Sequence, residues 1–526
     1  MTRLSVRAWI GNAAAVLCGR WGAVTAQTQT FGCSRQAAYD QAERVEQLIT
    51  EAQQPGPSRA QLLATVTQLE SENQQLWQAL EQAVDLPVAK QQQFAATAAA
   101  LGLSLGQMRR LLELVLGRRC PSRAKLGRWV AAAARRAGLV LQQLDAACVV
   151  LVCTACLDEI YCHRQPLFVA VEPCSMTWIV GQRVAHCTGD AWQQTLTPWT
   201  FLTWVVCDAG TALEAGLEKF QQQRPTTPDG QTLGSGLDLF HNKQEAHRAL
   251  RVVWAPVAQA WQRAEKASAV LANKRWHGDK LPAQRAAHAA TRAWRKARQR
   301  MESYEVQEQA WRRIERALEW FRPDGALNDR AWAEAEIAQA LAALPGPLWA
   351  KLRRFVQDPR SLAFLDRLHA GLVVAEPRSD LRAALVQLWR LRHPGRRAGR
   401  TKAPGALGEL QPVLQAVVCQ GLAPDWHSAY RRVANVLSRQ VRASSVVECM
   451  NSVVRMHQAR HRSLSQPLLD LKRLYWNCRR FHEGKRRERC PYEHLGLRLP
   501  TYDWWELLNT EPASLAQQLS TSKLAA

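Results

Sequence analysis

No apolar run in this 526-residue chain approaches the roughly 20 residues that a helix needs to cross a bilayer, so a helical membrane span is not expected. The opening Met1-Thr-Arg-Leu-Ser-Val-Arg7 does not lead into a secretory apolar core with a cleavage site, and a chain that stays inside the cell is expected. Paired metal-binding cysteines are missing too. Cys153-Thr-Ala-Cys156 has Cys-x-x-Cys spacing, but it sits in a predicted strand, has no second pair, and would send its thiols to opposite faces. A zinc site is therefore not expected there. The fourteen Cys are scattered, many inside apolar runs, which suits reduced, buried thiols. No internal repeat is present, which sets repeat architectures aside. Acids are in short supply: 45 Asp and Glu face 69 Lys and Arg, for a formal charge of +24. Arg is dense in several separate segments, and that excess points to nucleic acid bound by counterion release; a merely soluble basic surface is the bland alternative.

A chain this long exceeds one ordinary core, and its punctuation suggests several domains. Residues 1–54 read as helical. Within them Phe31-Gly-Cys-Ser-Arg-Gln-Ala-Ala-Tyr39 has a Gly turn, a Ser N-cap and a short helix. That is the pattern of a helix-turn-helix, with Arg35 and Gln36 placed to read base edges; a plain helix-loop-helix fits equally. Residues 55–87 follow the break at Pro55-Gly-Pro-Ser58. Leu62, Val66, Leu69, Asn73, Leu76 and Leu80 make a heptad seam with a polar a position, which predicts a coiled-coil dimerisation helix. Residues 88–147 hold a second candidate helix-turn-helix around Gly102. A further helix there is capped by Ser122, with Arg123, Lys125 and Arg128 available for phosphates.

From Cys148 the period changes to that of strands. Cys148–Leu157, Pro166–Glu172, Met176–Gly181 and Thr203–Cys207 are predicted strands; Ala191–Trp199 and Thr211–Gln221 are predicted helices. Residues 223–236 read as a polar loop. This order is that of an α/β ribonuclease H-like core, its first part 148–244 and its last part 441–509. Between them, 245–440 is helical and rich in Ala, Arg and Trp, an all-α insertion that contains the basic loop Pro394–Gly405. Residues 510–526 are expected to be a disordered tail.

Three acids carry the chemistry. Asp158 and Asp208 each end a predicted strand, and Glu448 lies on the helical segment Ser444-Ser-Val-Val-Glu-Cys-Met-Asn-Ser452. Two carboxylates at neighbouring strand ends and one on a nearby helix suit a pair of Mg²⁺ ions, with Mn²⁺ an acceptable substitute. Singly each is weak: Asp208 could simply cap the helix from Thr211, and Glu159 competes with Asp158 from the opposite face. Asp238 and His241 form a second constellation, either behind the metal site or as a satisfied core pair. Asn451 and Arg455 follow Glu448 on its helix face, Arg455 as a phosphate clamp. From His457 to Arg487 the chain is markedly basic, with Lys472 and Arg473 among its cations. Most of the 21 Trp are assigned to the core of the insertion, with Trp276 and Trp294 as candidates to stack on a displaced base.

These residues resemble a DDE transposase of bacterial insertion sequences. Leu157-Asp-Glu-Ile160 with Arg164-Gln-Pro-Leu-Phe-Val-Ala-Val-Glu-Pro173 resembles the first-acid region, and Val206-Cys-Asp-Ala-Gly210 the second. Asp238-x-x-His241 resembles the Asp/Cys-x-x-His motif of the branch with an all-helical insertion. Val447-Glu-Cys-Met-Asn-Ser452 with Arg455 resembles the third-acid helix, and Tyr475–Phe481 with Cys490–Gly496 the usual ending. The likeness covers about 148–500. It implies Mg²⁺-dependent cleavage at element ends, strand transfer of the 3′-hydroxyl into target DNA, and Asp158, Asp208 and Glu448 as metal ligands. It further implies double-stranded DNA as partner, a homodimer or higher assembly, no membrane, and a cytoplasmic, nucleoid-associated place in a bacterium. A non-catalytic DNA-binding regulator with a degenerate core, and a metal-dependent nuclease without strand transfer, are the alternatives.

Overall fold

In the computed structural model, which describes residues 5–53, 59–83, 86–278, 280–393, 406–442, 444–459 and 463–524, a mixed five-stranded sheet is set among helices. The chain divides into two compact units, 1–86 with 113–119, and 87–112 with 120–526.

The first unit holds α1 (Val6–Leu17), α2 (Ala23–Phe31), α3 (Arg35–Gln53) and α4 (Arg59–Ala83). Small residues let α1 and α3 pack closely: Ala8, Ala13, Ala38 and Ala42 are buried, and buried Asn12 donates to Gln41 Oε1 at 2.9 Å. Gly32, at φ +63, turns α2 into α3, and Ser34 Oγ accepts the Ala37 N–H, as expected for the first candidate helix-turn-helix. On α4, Leu62, Val66 and Leu69 are exposed, as an unpaired heptad seam would be. The side chains of Leu76 and Leu80 lie outside the described residues.

In the second unit α5 (Val88–Ala100), α6 (Leu105–Leu116) as far as Leu112, and α7 (Arg123–Cys148) precede the sheet. The Gly102 turn, at φ +90, and the Ser122 cap on Lys125 N–H stand where expected. Strands β1 (Thr154–Cys162), β2 (Gln165–Glu172) and β3 (Thr177–Arg183) are antiparallel neighbours. After α8 (Gly189–Leu196) come β4 (Trp204–Cys207), α9 (Thr211–Gln223) and β5 (Gly234–Leu237). Strand β4 runs parallel to β1 and β5 parallel to β4, giving the order β3-β2-β1-β4-β5. This order is compatible with a ribonuclease H-like core. His163 and Arg164 both take positive φ, the geometry of a two-residue type I′ hairpin between β1 and β2.

Helices then fill 239–439: α10 (Leu239–Trp276), α11 (Lys280–Ala317), α12 (Arg330–Leu341), α13 (Ala350–Gln357), α14 (Ala363–Ala375), α15 (Ser379–Arg392), α16 (Ala406–Leu422) and α17 (Trp426–Arg439). The basic loop 394–405 lies outside the described residues. The chain returns to the sheet with α18 (Ser445–Gln458) and α19 (Gln466–Cys478), and ends in α20 (Pro491–Leu495), α21 (Trp504–Asn509) and α22 (Pro512–Leu524). Among the described residues no helix is long and apolar enough to cross a membrane.

Several expectations are corrected. The apolar run at Cys148 is not the start of a strand: Val140, Leu141, Leu144, Ala147 and Cys148 are buried at helical spacing, so α7 runs to Cys148 and β1 begins at Thr154. Asp158 therefore sits in the middle of β1, not at its end. The loop 223–236 contains β5, whose glycines let the Trp204 ring lie against it; a Cβ at Gly234 would come within 2.8 Å of that ring. Residues 88–147 are not a separate region from the core: α7 packs on α19, with Asp145 Oδ2 accepting from Arg473 at 2.6 Å, and Lys472 Nζ donates to Ala100 O at 2.7 Å. Lys472 and Arg473 are thus buried structural cations rather than part of a basic surface. The tail is helical over 512–524, and Leu515 and Leu519, one turn apart, are buried.

Candidate metal centre

Strand alternation decides which acid faces which helix. On one face of the sheet Cys156 and Ile160 of β1 and Trp204 and Val206 of β4 pack against Val447, Met450 and Val454 of α18. Asp158 shares the parity of Cys156 and Ile160, so it points at α18. There Asn451, on the same buried stripe, donates from Nδ2 to Asp158 Oδ2 at 2.7 Å. Glu448 lies one turn before Asn451 on that helix.

Glu159 takes the other face. Its Oε2 accepts from Cys187 Sγ at 2.6 Å and from Trp192 Nε1 at 3.2 Å, under α8. Trp192 stacks on Phe168, the cross-strand neighbour of Glu159, at 3.9 Å between centroids. The competition between the two adjacent acids is thereby resolved in favour of Asp158 as the one facing the acid-bearing helix. Neither Cys187 nor Trp192 carries a sequence signal for this role.

Asp238 is the hinge of the site. It is fully buried and caps α10, accepting the Phe240 N–H at 2.9 Å. It also accepts the Ser444 N–H and Oγ–H, both at 2.7 Å, which ties the start of α10 to the start of α18. Its Oδ2 holds His241 Nδ1 at 2.5 Å, leaving Nε2 facing Glu448 Oε1 at 3.8 Å. Ser444 was legible only as the start of the acid helix; its hydroxyl binds Asp238 instead of capping its own helix.

Asp158, His241 and Glu448 each offer a ligand atom within 4.8 Å of the others, and this group, with Asp158 buried and the other two half-buried, could hold a metal ion. The donor chemistry fits: two carboxylates and an imidazole whose far nitrogen is oriented by a carboxylate. Beside them Asn451 Oδ1 is buried without a hydrogen-bond partner, a further oxygen donor. Asp208 stands next to this group, not within it. Extending the β1–β4 register by two residues sets it abreast of Asp158. Its Oδ1 accepts the Gly210 N–H at 3.1 Å, the turn role open to it from sequence. It lines a cleft of about 460 Å³ with His241, Asn242, Phe355 and Lys351.

The electrostatics match a site short of positive charge. Burial, and the nearby Asp208, push Asp158 up to about 6, against the Asn451 hydrogen bond. Burial also raises Asp208. The hydrogen bond that His241 donates to Asp238 raises His241 to about 9, helped by the charges of Asp238, Asp158 and Asp208. Asp238 itself is held below the usual range because its hydrogen bonds from His241 and Ser444 outweigh its burial. Arg455 reaches Glu448 Oε2 at 3.5 Å from an exposed position.

The sequence-predicted DNA contacts are outside this group. Arg35 and Gln36 are exposed at the start of α3, Arg35 bonded to Thr25 Oγ1 and Gln36 to Asp40, both at 2.8 Å. Arg123, Lys125 and Arg128 are exposed on α7, with Lys125 over the Trp129 ring. Trp294 is held between α10 and α11 by a hydrogen bond to Ser268 Oγ at 2.8 Å, whereas Trp276 is 87 % exposed at the end of α10.

No protein-family model matches this chain, and no curated protein matches it either.

Proposed function

We propose that the chain is a metal-dependent DNA transposase that cleaves element ends and joins the 3′-hydroxyl to target DNA, working as a dimer or higher assembly. The observation that carries this reading is the convergence of Asp158 and Glu448, on β1 and α18, across an all-helical stretch of about two hundred residues. Asp158, Glu448 and the Nε2 of His241 would hold the ion, with Asp208 the nearest acid for a second. The bound ions would supply Lewis acidity to the scissile phosphate and lower the pKa of the attacking water or hydroxyl. Mg²⁺ suits the oxygen donors; the imidazole makes Mn²⁺ a good occupant as well. The protein's own part is positional. Asp238 orients His241, Asn451 orients Asp158, and Arg455 offers its guanidinium to a phosphate oxygen beside Glu448.

One observation favours a second reading. Asp208 lies outside the ligand group and serves its own turn, which suits a one-metal nuclease without strand transfer. The test uses the full chain, DNA flanking its coding sequence on either side, and Mg²⁺ or Mn²⁺. Cleavage at discrete ends, lost in Asp158→Asn and Glu448→Gln, is the expected result. A pre-cleaved 3′-hydroxyl end that is joined to a second duplex supports transposition, and cutting without joining supports the nuclease. Unchanged DNA binding with no cutting under either metal would leave a regulator as the correct reading.

A further inference from the structure

Beyond the insertion's own core, α10 and α11 continue as a two-helix arm. Their seam there is small residues, Ala260, Ala264 and Ala297, packed with Ala293 and Trp294. So narrow a seam lets the two backbones approach and leaves long side chains on the outside. Between residues 258 and 300 the chain carries eleven Lys and Arg against two acids, Glu265 and Asp279. On α11, Arg285, Arg292, Lys296 and Arg300 recur at spacings of seven, four and four, which places them on one face.

That face meets α10 in a groove of about 180 Å³. Arg263 and Gln259 line it from α10, Lys296 and Arg300 from α11, above Ala260 and Ala293. No acid lines it, and among the described residues no carboxylate pairs with Arg263, Lys296 or Arg300. Three cations held around one small concavity without a counter-charge repel one another; an anion relieves this. Elsewhere on the insertion the same residue types are neutralised locally, as in Arg313 with Glu336 and Arg330 with Asp366.

We infer that this groove grips a backbone phosphate of duplex DNA, and that the α10–α11 arm is a DNA-tracking element. Along α10, Arg263 lies 22 residues beyond His241, about 33 Å at 1.5 Å per residue. That is close to one turn of B-DNA, roughly 34–36 Å, so a duplex engaged at the metal centre reaches the groove one turn away. The inference rests on the DNA-binding part of the reading above and not on its chemistry.

The test is equilibrium binding of the full chain to a labelled duplex of about four helical turns, in EDTA, over a range of salt. Arg263→Gln/Lys296→Gln/Arg300→Gln is compared with a variant of equal charge change elsewhere on the arm, Arg275→Gln/Arg295→Gln/Arg298→Gln. The groove variant is expected to bind about tenfold more weakly, with the slope of log K against log salt reduced by about 1, and to melt at the same temperature. The second variant is expected to lose less. Equal losses in the two variants would overturn the groove in favour of a diffuse field, and unchanged binding in both would overturn the arm. Because binding is read in EDTA, without the metal, a wild-type protein that binds there and never cuts when Mg²⁺ or Mn²⁺ is supplied would sink the transposase reading and leave this inference standing.

Discussion

Two buried carboxylates in one sheet have opposite surroundings. Glu172, 7 % exposed at the end of β2, and Asp158, 6 % exposed in β1, are hidden equally well. Every partner of Glu172 comes from its own turn: the Cys174 N–H at 3.0 Å, the Ser175 N–H at 2.6 Å and the Ser175 hydroxyl. Asp158 has its side-chain partner on a helix 293 residues away, and two further ligand-bearing side chains beside it. Burial alone therefore does not distinguish the two. The origin of their partners does: local donors fix a turn, whereas distant ones assemble a site that the fold has to close.

Exchanging amides for these acids is the strongest way to break the comparison. Asp158→Asn is expected to reduce metal-dependent cleavage by roughly 10³-fold or more, while Glu172→Gln keeps turnover per folded molecule within about twofold. Equal losses in single-turnover cleavage would dissolve the distinction. Stability should separate the two in the reverse sense. Glu172→Ala strands two backbone N–H groups and is expected to cost about 1–3 kcal/mol in denaturant melts. Asp158→Asn in metal-free protein removes a carboxylate whose pKa burial raises to about 6, and with it a penalty on the folded state that is in force above that pH. It is expected to stabilise the chain at pH 7 by about 1–3 kcal/mol, since a tenfold change in proton affinity is worth about 1.4 kcal/mol. Melting both variants beside the wild type checks the opposite signs.

Arg455→Ala should lower cleavage by about tenfold and leave the melting temperature unchanged, because its ion pair with Glu448 is largely exposed. Normal activity in that variant would remove the clamp. The smallest effect concerns pH. The folded pKa of His241 is raised to about 9 from 6.5, so its imidazolium stabilises the metal-free protein fully below about 6.5, and this is lost as pH rises through about 9. The gap in melting temperature between wild type and His241→Gln should shrink across that window. A constant gap would mean that His241 is neutral throughout.

How far such contrasts could be read from sequence depended on the reach of each cause. Strands β2 and β3 were legible because they are apolar on both faces and bounded by turns, and β4 because Asp208 and Gly210 stop it. Strand β1 was misplaced at its start because the last turn of α7 and the connection to the strand are as apolar as the strand itself. Strand β5 was invisible since Gly234 and Gly236 are there to admit the Trp204 ring, a tertiary reason with no local pattern. In the site, Asp158, Glu448, Asn451 and the Asp238–His241 pair were found by residue type and spacing. That His241 would stand closer than Asp208 to the other two ligands depends on how α10 leaves the sheet, which only the assembled core defines.

The bonds from Ser444 to Asp238 span 206 positions, and the Leu239 N–H donates to Arg442 O at 3.2 Å beside them. The excursion from the sheet thus leaves and returns through one closed gate. During synthesis at about 5–20 residues per second, roughly 10–40 s pass between the two gateposts. Until the second has been made, the nascent chain already carries Asp158, Asp208 and His241 but has no Glu448. Any product that stops short in that interval keeps its N-terminal helices but lacks one of the three candidate ligands, so translation itself times the appearance of the candidate metal centre.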